Sequence, residues 1–99
     1  MTQSTKSTKS RTLPKYIHIF RADGTYEKRK VHAKPTLKEM QDIVGGYIEP
    51  VSVRFEKYIR IMVVNEEGKL RGLTVNIAAS KIAGSLIVGD VLILEGYRV

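Results

Sequence analysis

The sequence predicts an α+β domain, in which a small, mostly antiparallel sheet of five or six strands carries one main helix, about 36–44, on one face, with a second short helix at about 76–82. Three observations lead there. Short runs rich in β-branched and aromatic residues recur along the chain, which is the composition of half-buried strands. Asp23-Gly24 stands between two such runs and is a hairpin turn signal. Thr36 and Glu39 have the spacing of a capping box, ahead of an amphipathic stretch that Gly45-Gly46 ends.

The elements follow in order. Residues 1–13 repeat Ser, Thr and Lys (Ser4-Thr5-Lys6, Ser7-Thr8-Lys9). Such a segment has too little apolar surface to offset its ordering entropy, so it is expected to be a flexible basic tail. Pro14 marks the start of a single domain over 14–99. Lys15 to Arg21 is the first strand, and Thr25 to Ala33 returns as the second. Side chains alternate along a strand, so Tyr26, Lys28, Lys30, His32 and Lys34 are expected on one face.

Leu37, Met40, Ile43 and Val44 form the apolar stripe of the helix. They are expected against rows drawn from Ile17, Ile19, Ile59, Ile61 and Val63. Tyr47 to Val53 is a strand whose Pro50 suggests an edge or a bulge. Tyr58 to Val64 reads as the central strand, and Asn65 to Gly68 as a turn. Lys69 to Val75 is short and ambiguous, readable as a strand that ends before a helix. Asn76 is the N-cap expected for the short helix through Ile82. Val88-Gly89-Asp90 is a tight connection, and Val91 to Leu94 a buried final strand.

Composition narrows the function classes. The chain has 99 residues and no Cys, which removes disulfides, thiolate nucleophiles and Cys-ligated zinc together. No apolar run is long enough for a membrane helix, and the polar start lacks the apolar stretch of a secretory signal. A cytoplasmic protein with no membrane partner is the expectation. The formal net charge is +7. Much of it lies early, on Lys6, Lys9, Arg11 and Lys15, with no acid among them. Such a balance attracts polyanions.

Certain strings resemble a known family. They are Ile43-Val44-Gly45-Gly46-Tyr47-Ile48-Glu49, Val63-Val64-Asn65-Glu66-Glu67-Gly68-Lys69-Leu70, Gly72-Leu73, Val75-Asn76 with Ala79, and Ile87-Val88-Gly89-Asp90-Val91. In this order they are similar to the DUF3846 family, an uncharacterised small domain of phages, plasmids and other mobile elements. The resemblance covers roughly residues 15–95. It implies an accessory gene of a virus or mobile element, acting in the host cytoplasm if viral. It implies no reaction.

No catalytic constellation emerges. Gly45-Gly46 follows a helix, whereas phosphate-cradling glycines precede one. Glu66 and Glu67 are adjacent on a turn, where side chains point apart into water. His18 and His32 could share a strand face, but Asp23 and Glu27 are poorly placed as a third ligand, so no metal is expected and an exposed face is the simpler reading. Ser80 and Ser85 have no base and orienting group in view. Neither a cofactor nor an enzymatic activity is expected.

The strongest constellation is Tyr26, Lys28, Lys30, His32 and Lys34. Basic side chains meet phosphates, and Tyr and His stack on bases. The competing explanation is an edge strand blunted by lysines. The sequence therefore suggests a non-enzymatic binding module of a virus or mobile element that contacts nucleic acid through a basic hairpin. The alternative is a binder of a host protein, or a sequesterer of a small anionic ligand such as a signalling nucleotide.

Overall fold

A computed structural model of the chain describes residues 15–96. The basic tail expected over 1–13 lies outside them. The strands are β1 (Lys15–Phe20), β2 (Tyr26–Val31), β3 (Ile48–Phe55), β4 (Tyr58–Asn65) and β5 (Val91–Glu95). The helices are α1 (Leu37–Val44) and α2 (Ile77–Ala83). The strands form one five-stranded sheet in the order β2-β1-β5-β4-β3, and each neighbouring pair is antiparallel. The α+β class and the two helices expected from the sequence are both present. No helix among the described residues is long and apolar enough to cross a membrane.

Local chemistry explains the boundaries. Asp23 Oδ1 accepts from both the backbone N–H and the hydroxyl of Thr25, which tightens the β1–β2 connection. At α1 the capping box is complete. Glu39 N–H donates to Thr36 Oγ1 at 3.1 Å, and Thr36 N–H donates to Glu39 Oε1 at 2.7 Å. Gly45 ends the helix with φ 82°, a left-handed conformation that only glycine adopts at no steric cost. The β3–β4 hairpin turns on Glu56 and Lys57, at φ 53° and 77°. Two positive φ values between the Phe55–Tyr58 pair make a type I′ turn, built here without glycine.

The sheet has two covered faces, not one. Neighbouring residues of β5 point into different cores, as strand alternation requires. Leu92 and Leu94 join Ile17, Ile19, Val63, Met40 and Val44 beneath α1. Val91 and Ile93 join Val53, Met62, Val64, Ile87 and Ala79 beneath α2. The expected stripe needs two corrections. Leu37 opens α1 but is exposed, and Ile59 lies exposed near the start of β4, so neither enters the core. Residues 66–72 are turns, Leu73 and Thr74 belong to no element, and Val75 makes only an isolated bridge to Val88. Gly72 lies there at φ 67°, which breaks any extended run.

Asn76 holds the second layer in place. Its side chain caps α2 by accepting from Ala79 N–H at 3.1 Å. Its amide group donates to Phe20 O at 2.9 Å and to Gly89 O at 2.8 Å. One residue, 1% exposed, thus ties α2 to the end of β1 and to the approach of β5.

Candidate nucleic-acid interface

The β1–β2 register fixes which side chains meet. His18 lies opposite Lys28, Tyr16 opposite Lys30 and Phe20 opposite Tyr26. These six share the α2 side of the sheet, with Ile93 opposite His18 and Glu95 opposite Tyr16 on the next strand. Tyr26, Lys28 and Lys30 therefore do form one row and are all exposed. His32 and Lys34 do not belong to it. The strand ends at Val31, and the following bends turn both residues toward a hollow beside α1 that Arg29, Glu39 and Asp42 also line. The five-residue face divides because the chain leaves extended geometry before Pro35, which is buried.

Charge sorts itself across β2. On the opposite side, Glu27 pairs with Arg21 at 3.0 Å and with Arg29 at 2.9 Å. Hydrogen bonds from Arg29 and then Arg21 hold the Glu27 carboxyl below its ordinary range. No acid among the described residues pairs with Lys28 or Lys30. Lys28 Nζ instead lies 4.3 Å from the centre of the Tyr16 ring. The row thus presents two unneutralised ammonium groups beside aromatic faces.

His18 is the surprise of this surface. The sequence suggested an exposed strand face, but the ring is fully buried. Phe55, from the far hairpin, packs its ring 4.9 Å from the imidazole, edge-on, and 5.9 Å from Phe20. His18 Nδ1 is 2.7 Å from the Tyr26 hydroxyl, and Nε2 is 2.5 Å from Glu95 Oε1. Glu56, in the β3–β4 turn, completes a group with His18 and Glu95 whose ligating atoms all lie within 4.8 Å of one another. The two carboxylates come from positions remote in sequence. Only the pairing of β5 with β1 and the sheet's closing hairpin bring them to His18, so no local spacing signals the group.

Burial, then the negative charges of Glu56 and Glu95, push the Tyr26 phenol above its ordinary value of 10.0. The fold therefore favours the neutral phenol. Its stabilising contribution is present below the unfolded value and is lost as pH rises through the folded one. The difference between the tyrosinate absorbance titrations of the parent chain and Tyr26→Phe is expected to show a midpoint above pH 10. A midpoint at or below the free-tyrosine value contradicts this environment.

The remaining sequence candidates are structural or apart. Ser80 Oγ accepts from Ile87 N–H at 2.9 Å and lies 3.1 Å from Ile87 O, so it staples α2 to the following loop. Glu66 and Glu67 are exposed and border different hollows, one with Leu86 and Ile87, the other with Gly45 and Tyr47.

The strings that resemble the family meet in space. Asn65 Nδ2 donates to Val44 O at 3.1 Å, and Asn65 Oδ1 accepts from Glu67 N–H at 2.8 Å. Glu66 N–H donates to Tyr47 O, and Arg71 to Gly45 O, both at 2.8 Å. They build a joint between the end of α1 and the turn after β4. No curated protein and no solved structure matches the chain. The family model described as Domain of unknown function (DUF3846) matches residues 17–98, and the chain belongs to that family.

Proposed function

We propose that this protein is a non-enzymatic binding module that holds single-stranded nucleic acid against the β1–β2 face. The observation that supports this most is the exposed row of Tyr26, Lys28 and Lys30 beside Tyr16, in which neither lysine is in an ion pair among the described residues. Ammonium groups meet phosphates, while tyrosine rings stack on unpaired bases without regard to sequence. A base stacked on an aromatic ring contributes about 1–3 kcal/mol, which a shallow surface can supply without a deep pocket. The hollow that receives His32 and Lys34 also carries Glu39 and Asp42. The raised Tyr26 value also speaks for a stacking phenol rather than a tyrosinate nucleophile.

The test is fluorescence anisotropy of the full chain with short single-stranded and duplex oligonucleotides over a range of salt. The parent is expected to bind single strands with affinity that falls as salt rises. Lys28→Glu with Lys30→Glu is expected to weaken binding roughly tenfold or more and to flatten the salt slope. Lys38→Glu with Lys81→Glu, exposed on the two helices, serves as the charge-matched control. Equal losses in both pairs, or no loss in the first, overturn the reading and assign any attraction to net charge alone.

A further inference from the structure

The geometry points to a divalent transition-metal site formed by His18, Glu56 and Glu95, beneath the same sheet face that carries Tyr26. Three observations carry it. First, one ligating atom from each residue lies within 4.8 Å of the other two, although the residues come from β1, the β3–β4 turn and β5. Ligands around a tetrahedral zinc ion stand roughly 3.3 Å apart, given bonds of about 2.0–2.1 Å. Glu56 is exposed, so the surrounding packing does not hold its side chain at that separation.

Second, the imidazole is already oriented as a ligand. His18 is fully buried, Phe55 packs edge-on against it, and Tyr26 engages Nδ1 at 2.7 Å. The Tyr26 hydroxyl can accept from Nδ1–H, and in that tautomer Nε2 carries no proton and is free to bind a metal. Nε2 faces Glu95 at 2.5 Å. An entering ion takes the place of the proton that the pair shares.

Third, among the described residues neither carboxylate is in an ion pair with Lys or Arg. Among the described residues, Glu95 pairs with His18 alone, and Glu56 forms no ion pair. Two carboxylates therefore converge on a single imidazole with no Lys or Arg bridged to either. One nitrogen and two carboxylate oxygens suit zinc or manganese better than magnesium, which prefers oxygen alone and keeps its waters. The exposed side of Glu56 leaves room for a water as the remaining ligand.

The test uses the full chain, stripped with a chelator and then titrated with Zn²⁺, Mn²⁺ or Mg²⁺ by calorimetry and thermal unfolding. Zn²⁺ at about a hundredfold over its Kd is expected to raise Tm by roughly 10 °C, while Mg²⁺ leaves it unchanged. Glu56→Gln, at an exposed turn position, is expected to lower zinc affinity at least about tenfold, and His32→Gln to leave it unaltered. In the parent chain, the ¹⁵N resonance of His18 Nε2 is expected to move on zinc addition, and Nδ1 to show a protonated signature in the zinc-bound form. Unchanged Tm and heat with both Zn²⁺ and Mn²⁺ overturn the site and leave an ion pair between His18 and Glu95. Undiminished zinc binding in Glu56→Gln, or a His32 resonance that moves in place of His18, overturns it by placing the ion elsewhere.

Discussion

Asn76→Ala loses about 3–5 kcal/mol of stability, and its urea midpoint falls by about 2 M or more. The size follows from what the side chain satisfies. Its oxygen accepts from Ala79 N–H, and its amide group donates to Phe20 O and Gly89 O. Asn76 is 1% exposed, so water cannot readily replace these partners. Each buried group left without a partner costs about 1–3 kcal/mol, and loss of an N-cap alone about 1 kcal/mol. Against a total of about 5–15 kcal/mol for a domain of this kind, the substitution removes a large share. Asn76→Asp separates the two roles. Aspartate caps helices as well as asparagine, but it sets a carboxylate oxygen against two carbonyl oxygens. It is expected to be no more stable than Asn76→Ala at neutral pH, and to recover partly in acid, where a protonated carboxyl can donate. If Asn76→Asp matches the parent, Asn76 is a cap and not a joint.

The contrast between these roles shows where sequence reading stops. A cap is a local device, so Asn76 ahead of Ile77-Ala78-Ala79 was legible as a helix start. The bonds to Phe20 and Gly89 join segments distant in the chain, and nothing near Asn76 encodes them. The same division runs through the fold. The Thr36–Glu39 box, the Gly45 stop and the Asp23-Gly24 turn were readable because each is satisfied within a few residues. The second covered face was missed, although a signal was present. Val91-Leu92-Ile93-Leu94 has no polar alternation, and all four residues are buried. A strand apolar on both sides requires a layer on both sides. Once α2 is given that face, the two cores follow.

The candidate surface divides in the same way. Tyr26, Lys28 and Lys30 were legible as a row because strand alternation is local. His32 and Lys34 extended the row only on the assumption that β2 continued past Val31. The surroundings of His18 were beyond local reading. Its hydrogen-bonding partner Glu95 stands on the last strand, and Glu56 and Phe55 come from a hairpin at the far edge of the sheet. A lone histidine flanked by isoleucines gave no hint that a tyrosine, two carboxylates and a phenylalanine would close around it. Its position within Ile17-His18-Ile19 did fix that it faces away from α1, since its neighbours face α1.

Asn65→Ala is expected to cost about 2–4 kcal/mol, measured by urea unfolding, by opening the joint where the family-like strings meet. The residue is 6% exposed and serves two backbone groups, the Val44 carbonyl at the end of α1 and the Glu67 N–H in the turn after β4. The Val44 carbonyl is one of the last in its helix and has no later N–H in α1 to accept from, so the amide of Asn65 acts as its cap from another element. Gly46 explains why the amide reaches it. A Cβ at that position stands 3.0 Å from Asn65 Nδ2 and 3.1 Å from an Arg71 guanidinium nitrogen, tighter than ordinary packing allows. Gly46→Ala therefore pushes on the same side chain that Asn65→Ala removes. The two substitutions are expected to be non-additive, with the double variant losing less than the sum of the single ones by about 1 kcal/mol. Strict additivity means that Gly46 and Asn65 act separately, and the strings then share a region without sharing a contact. Sub-additivity identifies the glycine pair and the asparagine turn as one structural unit joining the end of α1 to the turn after β4.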